Sequence, residues 1–143
     1  MGTREIAWQI LASNEHFGLV DPSLIGDAEK ELGCVFPKEY RAFLERFGAA
    51  WLPGIEISGV TPDDGRDGPP VWDSVVRHAR QMQQVNKSRI SEEMIPIASD
   101  GMGVTFYLST KGENCGAVQA LGPGVNEWYA SFYEFVSNAY RYQ

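Results

Sequence analysis

The stretch Leu32-Gly33-Cys34-Val35-Phe36-Pro37-Lys38-Glu39-Tyr40-Arg41-Ala42-Phe43-Leu44-Glu45-Arg46-Phe47-Gly48 decides how this chain folds. From Pro37 onward, Tyr40, Phe43, Leu44 and Phe47 recur at i, i+3, i+4, i+7, the spacing of one face of a helix. Lys38, Glu39, Arg41, Glu45 and Arg46 occupy the other face, with Arg41 and Glu45 placed for an i,i+4 ion pair. Pro37 suits the first turn, where its missing N–H costs nothing, and Gly48 suits the position just past the end. Each large apolar side chain contributes about 1.5–3 kcal/mol when buried, so this helix is a main contributor to the core. Its residues are those of packing, not of catalysis.

Upstream, Ile6, Ala7, Ile10 and Leu11, with Trp8 beside them, predict a helix over 4–13, and Asn14 to Gly18 breaks the pattern. Asp21 before Pro22 reads as an N-cap, followed by the stripe Leu24, Ile25, Ala28 and Leu32 and by the stop Gly33. Downstream, Gly54 to Val60 alternates as a strand with Ile55 and Ile57 inward. Thr61 to Pro70 is dense in Pro, Gly and Asp and reads as a surface loop. Trp72, Val75, Val76, Ala79, Met82 and Val85 then form a helical stripe, with Arg77, Arg80, Lys87 and Arg89 outside it as a solvated basic face.

From Ile95 the period shortens. Ile95 to Ala98, Val104 to Leu108 and Gly116 to Leu121 read as strands, joined by turns at Ser99 to Gly103 and Lys111 to Asn114. Gly122-Pro123-Gly124 makes another turn. Ser131 and Glu134 fit a capping box, opening a final helix that buries Phe132, Phe135, Val136 and Ala139. Helices grouped early and antiparallel strands grouped late predict an α+β fold, with the helices packed against one mainly antiparallel sheet. The 143 residues suit a single domain spanning 1–143.

Twelve Lys and Arg against nineteen Asp and Glu give a net charge of −7. The pI is near 4.8. That balance argues against nucleic acid as a direct ligand, because phosphate binding needs clustered cations, and it suits a partner that is itself basic. No apolar run reaches the length of a membrane span, and the N-terminus does not read as a signal peptide. Two cysteines without Cys-x-x-Cys spacing make no disulfide framework, so a reduced cytoplasmic setting is expected.

The motifs of chemistry are missing. His16 and His78 have no partner at metal-binding spacing, Cys34 and Cys115 read as small buried hydrophobes, and no nucleophile elbow or phosphate loop occurs. No catalytic residue, metal or cofactor is expected. The acidic segment is the one feature with a use. Glu56, Asp63, Asp64, Asp67 and Asp73 face only Arg66 across residues 56–73. Trp51 and Trp72 bracket the loop. These seven residues (Trp51, Glu56, Asp63, Asp64, Asp67, Trp72 and Asp73) are either a solvated loop with its flanks or a patch for a basic partner, with the tryptophans as anchors.

Taken together, Ala28-Glu29-Lys30-Glu31-Leu32-Gly33, Phe36 to Leu44 and Phe47-Gly48-Ala49-Ala50 resemble the SUKH superfamily. Its members show an Ala-Glu helix ending in Leu-Gly, a Leu-Pro, a Tyr–Phe-Leu helix and an Asn-Gly-Gly turn. Ile95-Pro96-Ile97-Ala98-Ser99-Asp100-Gly101-Met102-Gly103 and the strand after it look like the second family block, and Ala130 to Val136 is similar to the last helix. Phe36 replaces the usual Leu, and the Asn-Gly-Gly form is absent. The resemblance implies an α+β fold and, in bacteria, an immunity protein that binds a cognate toxin, often a nuclease, in the producing cell's cytoplasm. Fungal relatives are regulatory scaffolds with long disordered extensions, and a non-toxin regulatory or scaffold domain is the alternative. The compact chain fits the bacterial form.

Overall fold

The computed structural model describes residues 2–62, 74–85 and 93–138. Its elements are α1 (Thr3–Ser13), β1 (Glu15–His16), α2 (Pro22–Leu32), α3 (Lys38–Phe47), β2 (Ala50–Leu52), β3 (Ile55–Ile57), α4 (Val75–Val85), β4 (Met94–Ser99), β5 (Thr105–Ser109), β6 (Val118–Gly122), β7 (Val125–Tyr129) and α5 (Phe132–Ser137). The seven strands form one sheet in chain order, every neighbour antiparallel. The fold is a single α+β domain.

The helix boundaries follow local chemistry. The Asp21 carboxylate accepts from the Ser23 N–H at 2.9 Å and caps α2, with Pro22 in its first turn. Gly33 ends it at φ +68°, a conformation that costs glycine nothing. Ser131 Oγ accepts from the Glu134 N–H at 3.1 Å and opens α5. On α3, Tyr40, Phe43, Leu44 and Phe47 are all buried, as their spacing requires. The i,i+4 pair forms at 3.5 Å between Arg41 and Glu45, but the shorter partner of Arg41 is Glu29 of α2, at 2.7 Å. The second oxygen of Glu29 accepts from the Phe36 N–H at 2.7 Å, so one carboxylate ties α2, the turn after it and α3 together.

One core cluster holds residues from all five helices and from the inward side of the sheet, among them Leu11, Ile25, Phe43, Val75, Ile57, Phe106, Val118 and Phe135. Tyr40 is its hub. The ring packs against Phe36, Phe43 and Phe132, and the hydroxyl donates to the Ser58 carbonyl at 2.7 Å. Burial pushes that phenol well above its ordinary pKa.

Several expectations need correction. Asn14 to Gly18 is no simple break, because Glu15 and His16 pair with Trp51 and Ala50. Ala50–Leu52 and Val125–Tyr129 are strands as well. Cys115 is not buried: it sits exposed in the turn before β6, where its N–H donates to the Gly112 carbonyl. Cys34 is half-buried. The helix expected from Trp72 is described from Val75, and Trp72, Lys87, Arg89 and Ala139 lie outside the described residues.

Candidate partner-binding face

Strand alternation sorts the sheet into two sides. In β2 and β3, Ala50, Leu52, Ile55 and Ile57 are buried on the core side, and Trp51 and Glu56 point the other way. Register then lines up the outward residues across the sheet. Glu15 is opposite Trp51, Trp51 opposite Glu56, Glu56 opposite Ser99, Ser99 opposite Thr105, Thr105 opposite Leu121 and Leu121 opposite Asn126. A second row runs from Pro96 through Tyr107 and Gln119 to Trp128. Trp51, Tyr107, Leu121 and Trp128 are absent from the core cluster, which draws on every helix. Among the described residues, the core cluster lies on the inward side of the sheet and these rows lie on the other, where Pro96 and Tyr107 are nonetheless buried.

The two sides differ in chemistry. No lysine or arginine lies in any of the seven strands, whose charged residues besides His16 are Glu15, Glu56 and Glu127. Glu127 is opposite the buried Ala120 and belongs to the inward row at the sheet's rim. Arginines with described partners sit on helices: Arg41 with Glu29, Arg80 of α4 with Glu31 at 2.9 Å, and Arg4 over the Trp8 ring at 5.1 Å. The outward rows combine carboxylates, amides and aromatic rings. Trp128 is 51% exposed.

Of the seven residues singled out by sequence, the structure brings Trp51 and Glu56 together as direct cross-strand neighbours. Asp63, Asp64, Asp67, Trp72 and Asp73 lie outside the described residues. Sequence reasoning missed Glu15, Gln119 and Trp128 as residues on the same side of the sheet, where Tyr107 of the second row is buried. The available signal for Trp128 was the run Val125 to Tyr129 directly after a Gly-Pro-Gly turn, which is hairpin chemistry.

Elsewhere the geometry is that of packing. The His16 ring stands edge-on to Phe47, and its Nδ1 is 2.8 Å from the Asn14 carbonyl. His78 Nδ1 lies 3.2 Å from the hydroxyl of buried Ser58. Asp100 accepts from the N–H groups of Met102 and Val104 and so closes the turn between β4 and β5. A groove of about 470 Å³ lies between the start of α3 and the loops before β6 and α5, lined by Val35, Phe36, Pro37, Glu39, Cys115 and Ala130 among others. Burial, and next the nearby Glu29 charge, raise the Cys34 thiol above its ordinary pKa, so it is a poor nucleophile. Among the described residues, no group of three or more His, Cys, Asp or Glu could hold a metal. No helix among them is long and apolar enough to cross a membrane.

The chain belongs to the SUKH_5 family, described as SMI1-KNR4 cell-wall, which matches residues 4–141. Among solved structures it is similar to a protein from Pseudomonas syringae pv. tomato, with a TM-score of 0.69 and 18% sequence identity over 92% of each chain. That likeness shows the fold. No curated protein matches the chain.

Proposed function

We propose that this chain, taken as one domain over 1–143, is an immunity protein. It binds a cognate bacterial protein toxin, a nuclease, in the cytoplasm of the producing cell and neutralises it by stoichiometric association without covalent chemistry. The observation that carries this reading is the family match over residues 4–141. A net charge of −7 supports it, since a nuclease must present cations to bind phosphates and an acidic partner is steered onto that surface.

The contact would include Trp51 and Glu56 together with the acidic segment Asp63, Asp64, Asp67, Trp72 and Asp73. A toxin domain encoded beside the gene is the expected partner; expressed alone it should arrest growth, and co-expression of this chain should restore growth. Arrest that persists in the presence of a folded, equally abundant chain refutes the reading. Reversing Asp63, Asp64 and Asp67 together to lysine should weaken the complex at low salt, and unchanged affinity removes that loop from the contact.

A further inference from the structure

We propose, resting on the immunity reading, that β7 is a docking edge along which an extended, basic segment of the toxin adds as a further strand of the sheet. The sheet runs in chain order, so β1 and β7 are its two edges. They are guarded differently. β1 has two residues, too few to template another strand. β7 has five, in unbroken register with β6, and carries none of the devices that blunt an edge: no proline, no lysine, no bulge. Only Pro123 and Gly124 separate Gly122 from its register partner Val125, and residues flanking a two-residue hairpin loop exchange their backbone hydrogen bonds. Pairing alternates from there. Val125, Glu127 and Tyr129 bond to β6, and Asn126 and Trp128 turn their N–H and C=O groups away from it. Among the described residues, no backbone hydrogen bond outside the hairpin reaches Asn126 or Trp128. Both are exposed, Trp128 at 51%.

An extended segment laid along β7 takes up these four backbone groups, and alternate side chains then give it specificity. Charge selects the segment. From Gly112 to Asn138, the stretch that forms β6, β7 and α5, the charged side chains are Glu113, Glu127 and Glu134, with no lysine or arginine among them. An acidic strand would find no cation in this stretch to meet it. A second copy of the chain would bring another net charge of −7 to the contact. A basic strand instead meets complementary charge as it approaches. Its side chains on the outward side of the sheet lie beside the Trp128 indole, where a cationic head stacks on the exposed ring. β7 is five strands away from β2, so this contact is separate from the one at Trp51 and Glu56.

The test is amide hydrogen exchange, read residue by residue on the full chain alone and with a catalytically inactive form of the expected toxin domain. In the chain alone, Asn126 and Trp128 should exchange fast while Glu127 and Tyr129, bonded to β6, exchange slowly. In the complex, Asn126 and Trp128 should slow by about 10-fold or more. Asn126→Pro removes an outward N–H and no bond to β6, so this variant should fold and bind about 10-fold or more weakly in a calorimetric titration. Leu19→Ala, at a residue 73% exposed just after β1 on the opposite edge, should bind as the parent does. Exchange in the unmodified complex gives an answer even if a variant unfolds. Slow exchange at Asn126 and Trp128 in the chain alone, with a doubled mass in solution, makes a second copy the occupant and overturns the proposal. A complex that forms while both amides stay fast, and that tolerates Asn126→Pro, overturns the docking edge and leaves the immunity reading standing. No complex at all overturns both.

Discussion

Replacing Gly59 by alanine should be among the most damaging single-methyl additions in the molecule. A Cβ built on Gly59 would lie 1.6 Å from the Gly48 carbonyl oxygen, 2.7 Å from its carbon and 3.0 Å from Ala49 Cα. All three atoms are backbone, so no side chain can rotate away. Relief requires the end of β3 and the turn after α3 to separate by more than an ångström in a close-packed interior. That movement stretches the Val60 N–H to Gly48 carbonyl bond, now 3.1 Å, and the Val75 N–H to Gly59 carbonyl bond, 2.9 Å, which anchors the start of α4. Overpacking costs about 1–3 kcal/mol and an orphaned buried backbone group about 1–3 more, so the expected loss is about 4 kcal/mol. With a urea m-value of about 2 kcal/mol/M, the midpoint should fall by about 2 M. Gly26 is the internal comparison. It lies in α2 with nothing within 4 Å of its would-be Cβ, so Gly26→Ala should stabilise by about 0.5–1 kcal/mol. Tryptophan fluorescence and far-UV circular dichroism through a urea series measure both. A Gly59→Ala midpoint within about 0.5 M of the parent, at unchanged m, would refute the close-approach reasoning.

Alkaline pH should single out Tyr40. Its folded pKa is raised by burial well above the reference value of 10.0, so the unfolded chain gives up this proton first. The stabilisation is fully present below about pH 10 and is lost above it at about 1.4 kcal/mol per pH unit. Tyr107 is raised too, chiefly by burial, so Tyr40→Phe should flatten the alkaline slope without abolishing it; an unchanged slope in denaturant titrations between pH 9 and 11 contradicts the assignment. The two cysteines should label in sequence with a thiol reagent at pH 8, exposed Cys115 fast and half-buried Cys34 slowly. Equal rates would show that Cys34 is neither shielded nor raised.

Much of the architecture was legible because it is local. The α3 stripe, the Asp21 and Ser131 caps and the Gly33 stop each depend on residues within about four positions of one another, and each is found where the pattern placed it. The strands β4 to β6 were long enough for alternation to register. β1 and β2 have two and three residues, too few to carry a period, and exist because antiparallel neighbours satisfy their backbone groups. β7 was hidden for another reason: Asn126, Glu127 and Trp128 are all exposed at the sheet's rim, so its polarity does not alternate.

By itself, then, the sequence determined the helices, their caps, the mixture of helix and antiparallel strand, and the acidic balance. Only the tertiary structure decided which residues share the outward side of the sheet. Glu15, Trp51 and Glu56 stand in one row, and Trp128 stands two strands beyond Tyr107 in another, because of register. Helical periodicity is written into adjacent residues. Register is set by pairing between segments tens of residues apart and by which side the shared core buries, and a slip of one residue would send every one of those side chains to the opposite face.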